Sequence, residues 1–400
     1  MASPGLQRVA AIDCGTNSLR LLIADIDTVR GELADLHRRM EIVRLGQGVD
    51  ATGRLAPEAL ARTFATLEEY ARTITDSGAT AVRLVATSAI RDASNAAEFV
   101  AGVTRILGVV PEVVSGAEEA YLSFSGATAE LGQLAEAGRQ DGDGQDGAAG
   151  QDGQDGAAGQ DGQDGAAGQD GGKAAPEPPF LVVDIGGGST EFVLGADSGS
   201  TGSSGGHGPA GAVGTADAAG TADATGIVGG TTRIDHGLAA MSMNIGCVRL
   251  TERHLHSDPP DQTQIDEAAA DIDAALTEVA AAIPVASART LVGLAGSVTT
   301  LTAVALNLPG YDSARIHHAR ISAGRVHEVT VGLLSQNHDE RARNGAIHPG
   351  RVDVIGAGAL ILDRIMDRFG FAEMVASEHD ILDGIAWSIV TGAAGTSRRL

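Results

Sequence analysis

Residues 180–195 read FLVVDIGGGSTEFVLG, and residues 10–27 read AAIDCGTNSLRLLIADID. Each is an apolar run ending in an aspartate, followed by glycine and small polar residues and then a second apolar run. Short aliphatic runs on either side of a tight polar turn predict two β-hairpins. The two turns are chemically alike. Glycine at a bend permits positive φ and a close backbone approach to a ligand, while hydroxyls and freed N–H groups offer donors to an anion. The candidate phosphate donors are Asn17 and Ser18 in the first turn and Gly186, Gly187, Gly188, Ser189 and Thr190 in the second. Asp13 and Asp184 stand where a carboxylate can hold Mg2+ (or Mn2+), a hard cation that takes one or two carboxylates together with phosphate oxygens. Two facing copies would clamp one phosphate chain between two domains.

Three consecutive glycines have rival explanations. A dinucleotide fingerprint needs Gly-x-Gly-x-x-Gly opening a helix, but Thr190 to Leu194 continues as a strand. A Walker loop needs Gly-Lys-Ser/Thr, and no lysine lies there. For a single copy, a purely structural hairpin would be the first choice. The second copy weakens that choice.

The chain has 400 residues, 43% of them hydrophobic and 20% charged, which predicts a protein with more than one domain. No window holds the roughly 18 uncharged apolar residues of a spanning helix, and the N-terminus lacks the pattern of a secretory leader, so no membrane partner and a cytoplasmic location are expected. The two cysteines, Cys14 and Cys247, are too few for a disulfide framework and suit a reducing compartment. A net charge of −24 argues against nucleic-acid binding, which needs clustered Lys and Arg. An acidic bulk still allows an anionic substrate where one cleft reverses the field.

Much of the acidity is local: residues 140–172 contain eight Asp and no Lys or Arg, around the recurring unit QDGQDGAAG. A calcium-binding β-roll of the same period would need a large apolar residue in each unit, and none is present. Composition therefore predicts a disordered linker over 136–178, a spacer in preference to a regulatory element, and a second disordered loop over 196–230. Elsewhere strands and helices alternate. TGRLAPEALARTFATLEEYARTI carries Leu60, Phe64, Leu67, Ala71 and Ile74 on one helical face, AVRLVAT is a buried strand, NAAEFVAGVTRILG a helix closed by Gly108, and VVPEVVS a further strand. The alternation predicts an α/β fold.

Taken with AIDCGTNSLRLLI, TGRLAPEAL, VATSAIRDASN, VVSGAEEAYLSFSG, MNIGCVRLTE, GLAGSVTTL and DVIGAGALIL, in this order, the paired turns resemble the exopolyphosphatase and guanosine pentaphosphate phosphohydrolase family of the actin, Hsp70 and sugar-kinase superfamily. The resemblance spans the chain outside the two low-complexity tracts. It implies two actin-like (ribonuclease H-like) domains facing across a cleft, residues 1–135 and 179–382, with 383–400 a C-terminal helix and tail. It also implies a Mg2+-dependent hydrolase of inorganic polyphosphate or of guanosine pentaphosphate (pppGpp), with a possible homodimer.

Carried over by motif, Glu119 of SGAEEA matches the carboxylate that activates the attacking water, and Arg91 of TSAIRDA matches an arginine that meets phosphate. Glu118 is the rival for Glu119, since adjacent helical positions diverge by about 100° and usually only one can face the cleft. Arg91 could instead pair with Asp92 on the surface. Glu191 is expected to orient water or metal, although on the outgoing strand it could face solvent. Arg249, Gly296 and Ser297 line the cleft by the same resemblance; sequence alone reads them as helix starts. His379-Asp380 could suggest a His-Asp metal phosphohydrolase, but the further spaced ligands are missing. Longer relatives carry an additional C-terminal helical domain, so this shorter chain is expected to favour short polyphosphates. An ATP-dependent sugar kinase and a non-catalytic polyphosphate sensor are the alternatives of other classes.

Overall fold

The computed structural model describes residues 5–142, 175–196, 230–234, 238–392 and 398–399. The acidic repeat and nearly all of the tract over 196–230 lie outside the described residues. The first sheet contains β1 (Leu6–Cys14), β2 (Ser18–Asp27), β3 (Glu32–Ile42), β4 (Ala81–Ala86) and β5 (Glu112–Val113). The second contains β6 (Phe180–Ile185), β7 (Thr190–Gly195), β8 (Gly230–Ile234), β9 (Leu238–Met243), β10 (Thr290–Leu294), β11 (Arg320–Ser322) and β12 (Glu373–Ala376). A final strand, β13 (Arg398–Arg399), joins the first sheet, whose order is β13-β4-β1-β2-β3 with β5 beside β4; the second runs β11-β12-β10-β6-β7-β9-β8. Mixed α/β architecture with two sheets is thus the observed fold, as the alternation predicts.

Both expected hairpins form. β1 pairs antiparallel with β2 and β6 with β7, and each leading strand also pairs in parallel with a strand from later in the chain, β1 with β4 and β6 with β10. β1 and β6 are therefore central, which accounts for the burial of β6 throughout and of β1 from Val9 onward, and for their aliphatic composition. Register then sets the chemistry of the strand ends: Asp13 stands opposite Arg20, and Asp184 opposite Glu191.

Helix Pro57–Ser77 packs on the outer face of the first sheet through Leu60, Leu67 and Ile74, with Phe64 only partly buried and Tyr70 fully so. Helix Ala96–Leu107 lies beside it and ends at Gly108 in the left-handed region. The expected strand VVPEVVS shrinks to two residues, because Pro111 has no N–H to donate to a ladder. β3 carries mostly exposed charged and polar side chains, so its sequence lacks the alternation that marks a strand.

Two helices lie between the sheets. The crossover helix, Gly116–Gly142, covers β6, β7, β9 and β10 with Ala120, Phe124 and Ala127, while the C-terminal helix, Ile381–Thr391, covers β1, β2 and β4 with Leu382, Ile385 and Ile389. They pack against each other closely enough that a Cβ at Gly126 would fall 1.9 Å from the Asp380 carbonyl oxygen, and one at Gly384 2.1 Å from that of Leu122. The helices of the second half, including Ile355–Phe369 within the apolar run VDVIGAGALILDRIM, cover the far face of the second sheet. Among the described residues no helix is long and apolar enough to cross a membrane.

Candidate active site

Both turns open into one small cavity of about 70 Å3 between the sheets. Its walls include Asp13, Asn17, Ser18, Glu119, Asp184, Gly186, Gly187, Ser189, Gly296 and Ser297 from the expected set, together with Thr16, Arg20, Ser88, Cys247 and Arg351. The turns are built alike: Gly15 N–H donates to the Ser18 carbonyl at 3.0 Å, and Gly186 N–H to the Ser189 carbonyl at 3.0 Å. Each is backed by a following segment. Val43, Arg44 and Gly46 donate to the carbonyls of Asn17 and Thr16, while Cys247, Val248 and Arg249, opening helix Cys247–His254, donate to those of Gly186 and Gly187.

The glycines have a different use from the one expected. Neither Gly15 nor Gly186, Gly187 or Gly188 takes positive φ. What the triple glycine permits is contact between the turns: a Cβ on Gly187 would lie 3.0 Å from Thr16 Cβ, and one on Gly188 2.6 Å from Ser88 Oγ.

Four further expectations change. Thr190 is fully buried and donates its hydroxyl to the Ile245 carbonyl, so it holds the fold and offers nothing to the cavity. Gly188 lines a neighbouring crevice with Arg249. Arg249, expected on phosphate, forms ion pairs with Asp50 and Asp92 of the first half and donates to the Gly188 carbonyl at 2.8 Å, so its guanidinium fastens the halves together. Glu191 neither faces solvent nor lines the cavity. It is buried behind it and accepts from Ser242 Oγ at 2.8 Å. Asp13, Asp184 and Glu191 do not bring their ligand atoms together within 4.8 Å, so they form no three-carboxylate cage.

Glu119, in the first turn of the crossover helix, is buried in the cavity wall, whereas Glu118 points away to pair with Arg83. Arg91 donates to Glu119 Oε2 at 3.2 Å and to the Val114 carbonyl at 3.1 Å; its partner is thus Glu119, not Asp92. Asp13 accepts from Arg20 Nε at 3.0 Å, and Arg20 also reaches Asp380. Asp184 accepts from Ser123 Oγ at 2.7 Å. Sequence reasoning passed over Arg20, although the hairpin register alone would have placed it opposite Asp13. Arg351 arrives from 55 residues beyond Gly296 and had no local signal. A Cβ on Gly296 would fall on the Arg351 guanidinium, which explains a glycine at that helix start.

Helix Ala295–Ala305 aims its N-terminus at the cavity, and Ala295 holds φ of 64° to start it there. The free N–H groups of such a first turn, with the helix dipole, favour an anion. Burial pushes the carboxyl groups of Glu119, Asp184, Glu191 and Asp13 above their ordinary range. Glu191 adds repulsion on Glu119 and on Asp184, which is pushed up to about 7. Most potential ligands are oxygens, from carboxylates, hydroxyls and carbonyls, with the Cys247 thiol also in the wall, and carboxylates crowded in this way are stabilised by a hard cation. A second, larger cavity of about 520 Å3 shares Arg20, Gly296 and Arg351 with the first and adds Arg38, Arg39, Tyr311 and Glu378.

Comparison with known proteins agrees with this geometry. The model of the Ppx/GppA phosphatase family matches residues 22–138 and 172–392. Exopolyphosphatase 2 of Mycobacterium tuberculosis is 41% identical over 396 residues, covering 96% of this chain and 99% of that protein. The crystal structure of an exopolyphosphatase-like protein aligns with a TM-score of 0.72 at 37% identity, over 97% of this chain and all of that one. That of the Aquifex aeolicus Ppx/GppA family member aligns with a TM-score of 0.64 at 26% identity, over 97% and 99%. The chain belongs to the Ppx/GppA phosphatase family.

Proposed function

We propose that the protein is an exopolyphosphatase that removes the terminal phosphate of inorganic polyphosphate. The observation that carries this reading is the convergence of both turns and Glu119 on one cavity. The resemblance assigns Glu119 the role of general base, and its position supports that role: it is the carboxylate of SGAEEA that faces the turns. Arg91 holds Glu119 Oε2, fixing the direction in which the carboxylate presents its other oxygen. The N–H groups of Gly187 and Ser189 and those opening helix Ala295–Ala305, with the hydroxyls of Ser18 and Ser297, surround the space for the phosphoryl oxygens; that of Gly186 is taken by the Ser189 carbonyl.

Hydrolysis of a phosphoanhydride needs a positioned water, neutralised equatorial oxygens and an in-line leaving group. Mg2+ held by Asp13 and Asp184 would supply charge neutralisation at the phosphate and draw down the raised carboxylates around it. Water attacks the terminal phosphorus as Glu119 takes its proton, the P–O bond to the next phosphate breaks, and orthophosphate leaves. Arg20 and Arg351, shared with the larger cavity, are placed to meet the remaining phosphates. That cavity also has room for the nucleoside of guanosine pentaphosphate, the alternative substrate. Phosphate release from a series of polyphosphate lengths, guanosine pentaphosphate and ATP, with Mg2+, tests the assignment. Release from polyphosphate that is undiminished in Glu119→Gln removes the mechanism, and binding without release assigns a sensor.

A further inference from the structure

Outside the cleft, three separate elements bring a carboxylate and two imidazoles together. Glu130 projects from the crossover helix, His317 precedes β11, and His379 lies between β12 and the C-terminal helix. Glu130 Oε2 lies 3.0 Å from His317 Nε2 and 3.2 Å from His379 Nδ1, and one donor atom from each residue falls within 4.8 Å of the other two. His318 stacks on His317 with ring centroids 3.7 Å apart, and its Nε2 is buried with no hydrogen-bond partner. A cavity of about 260 Å3, bounded by Glu130, His379, Asp383 and Trp387, gives access.

We propose that Glu130, His317 and His379 bind one divalent ion of the zinc class at the junction of the two sheets. Two imidazole nitrogens and one carboxylate oxygen suit Zn2+, Co2+ or Ni2+, in contrast to the carboxylates of the cleft, which suit Mg2+. Three protein ligands leave a position for water, reached through the cavity. Burial holds the His317 and His318 imidazoles below their ordinary value, while Glu130 is kept below its own by His317 despite burial. Neutral imidazoles and an ionised carboxylate are the forms that ligate.

His317 Nδ1 accepts the Glu378 N–H at 3.2 Å, so the neutral ring carries its proton on Nε2, toward Glu130. Binding through Nε2 shifts that proton to Nδ1. The Glu378 amide then loses its acceptor and must move. Since Glu378 and Asp380 both line the larger cavity, the ion is coupled to that wall.

Co2+ titrated into the full chain under excess Mg2+, which loads oxygen sites, is expected to give the visible ligand-field bands of an imidazole-bound ion at one equivalent. Zn2+ should displace it and raise the Tm. His317→Gln and His379→Gln should each weaken uptake by more than the roughly 10–100-fold that loss of an outer-sphere partner costs, with phosphate release in Mg2+ alone unchanged. Only the weak absorption of an oxygen-coordinated ion in the wild-type protein overturns the proposal, whatever the variants do. So do undiminished bands in the double variant; if that variant fails to fold, undiminished uptake by Glu130→Gln does the same.

Discussion

The two hairpins share a turn and differ in what stands across it. Opposite Asp13 on the neighbouring strand is Arg20; opposite Asp184 is Glu191. In the first half the protein supplies its own positive charge, and Arg20 is shared onward with Asp380. In the second half, Asp184 and Glu191 are buried together with serine hydroxyls as their side-chain donors, Ser123 for one and Ser189 and Ser242 for the other. Equal backbone geometry therefore conceals unequal electrostatics. The less compensated negative charge lies with the second hairpin, although Arg20 also draws Asp184 down.

Glu119 is the sharpest probe of this asymmetry, because after burial the strongest influence raising its pKa is Glu191, with Asp184 ahead of Asp13. Glu119→Gln is expected to lower phosphate release by ~10²–10⁴, measured at saturating substrate and Mg2+. Glu118→Gln, which loses only a half-exposed contact to Arg83, should leave the rate nearly unchanged. Equal losses in both would mean that the helix is being disturbed instead of its chemistry.

Stability against pH separates the two aspartates next. Asp184 titrates near 7 in the folded protein against an ordinary value of 3.8. Between those values the folded state keeps a proton that the unfolded chain has released, so stability of the metal-free protein falls as pH rises from about 4 to about 7. Asp184→Asn should remove that loss and raise stability at pH 8, on the order of a few kcal/mol. Asp13→Asn should do the same to a smaller extent, since burial raises the Asp13 carboxyl too but Arg20 opposes it. Denaturant unfolding in chelator at pH 5 and pH 8 decides; an equal response of both variants would erase the asymmetry.

Glycine replacements address the contact between the turns. Gly188→Ala drives a methyl into Ser88 and Thr16 and is expected to cost about 1–3 kcal/mol along with activity. Gly15→Ala meets only the Ser18 carbonyl oxygen at 3.4 Å, an ordinary contact, and should cost far less. Smallest is Arg249→Ala, expected to lower stability by about 1 kcal/mol through Asp50 and Asp92 with KM unchanged. A large rise in KM for polyphosphate would return Arg249 to the phosphate.

Both hairpins were legible because a buried central strand must be aliphatic and a repeated turn leaves a repeated pattern. Glu119 could be named from its motif, while helix geometry says only that Glu118 and Glu119 do not both face the cleft. Partners were not legible. The motif carries the arginine at position 249 but not Asp50 and Asp92, which approach from the other half only once the chain has folded. Thr190 looked like a phosphate donor because a hydroxyl after glycine is common to both uses, and only the Ile245 carbonyl distinguishes them. β3 was missed because an edge strand covered in charge has no apolar alternation to read.

The C-terminal helix covers a sheet begun some 370 residues earlier, sealing Val9, Ala11, Leu22 and Ala24 beneath Leu382 and Ile385. On the ribosome that apolar face stays open to water until this helix has emerged, since its cover lies so far along the chain. The core of the first half is completed only then, and the nascent chain carries an uncovered apolar sheet face throughout that interval.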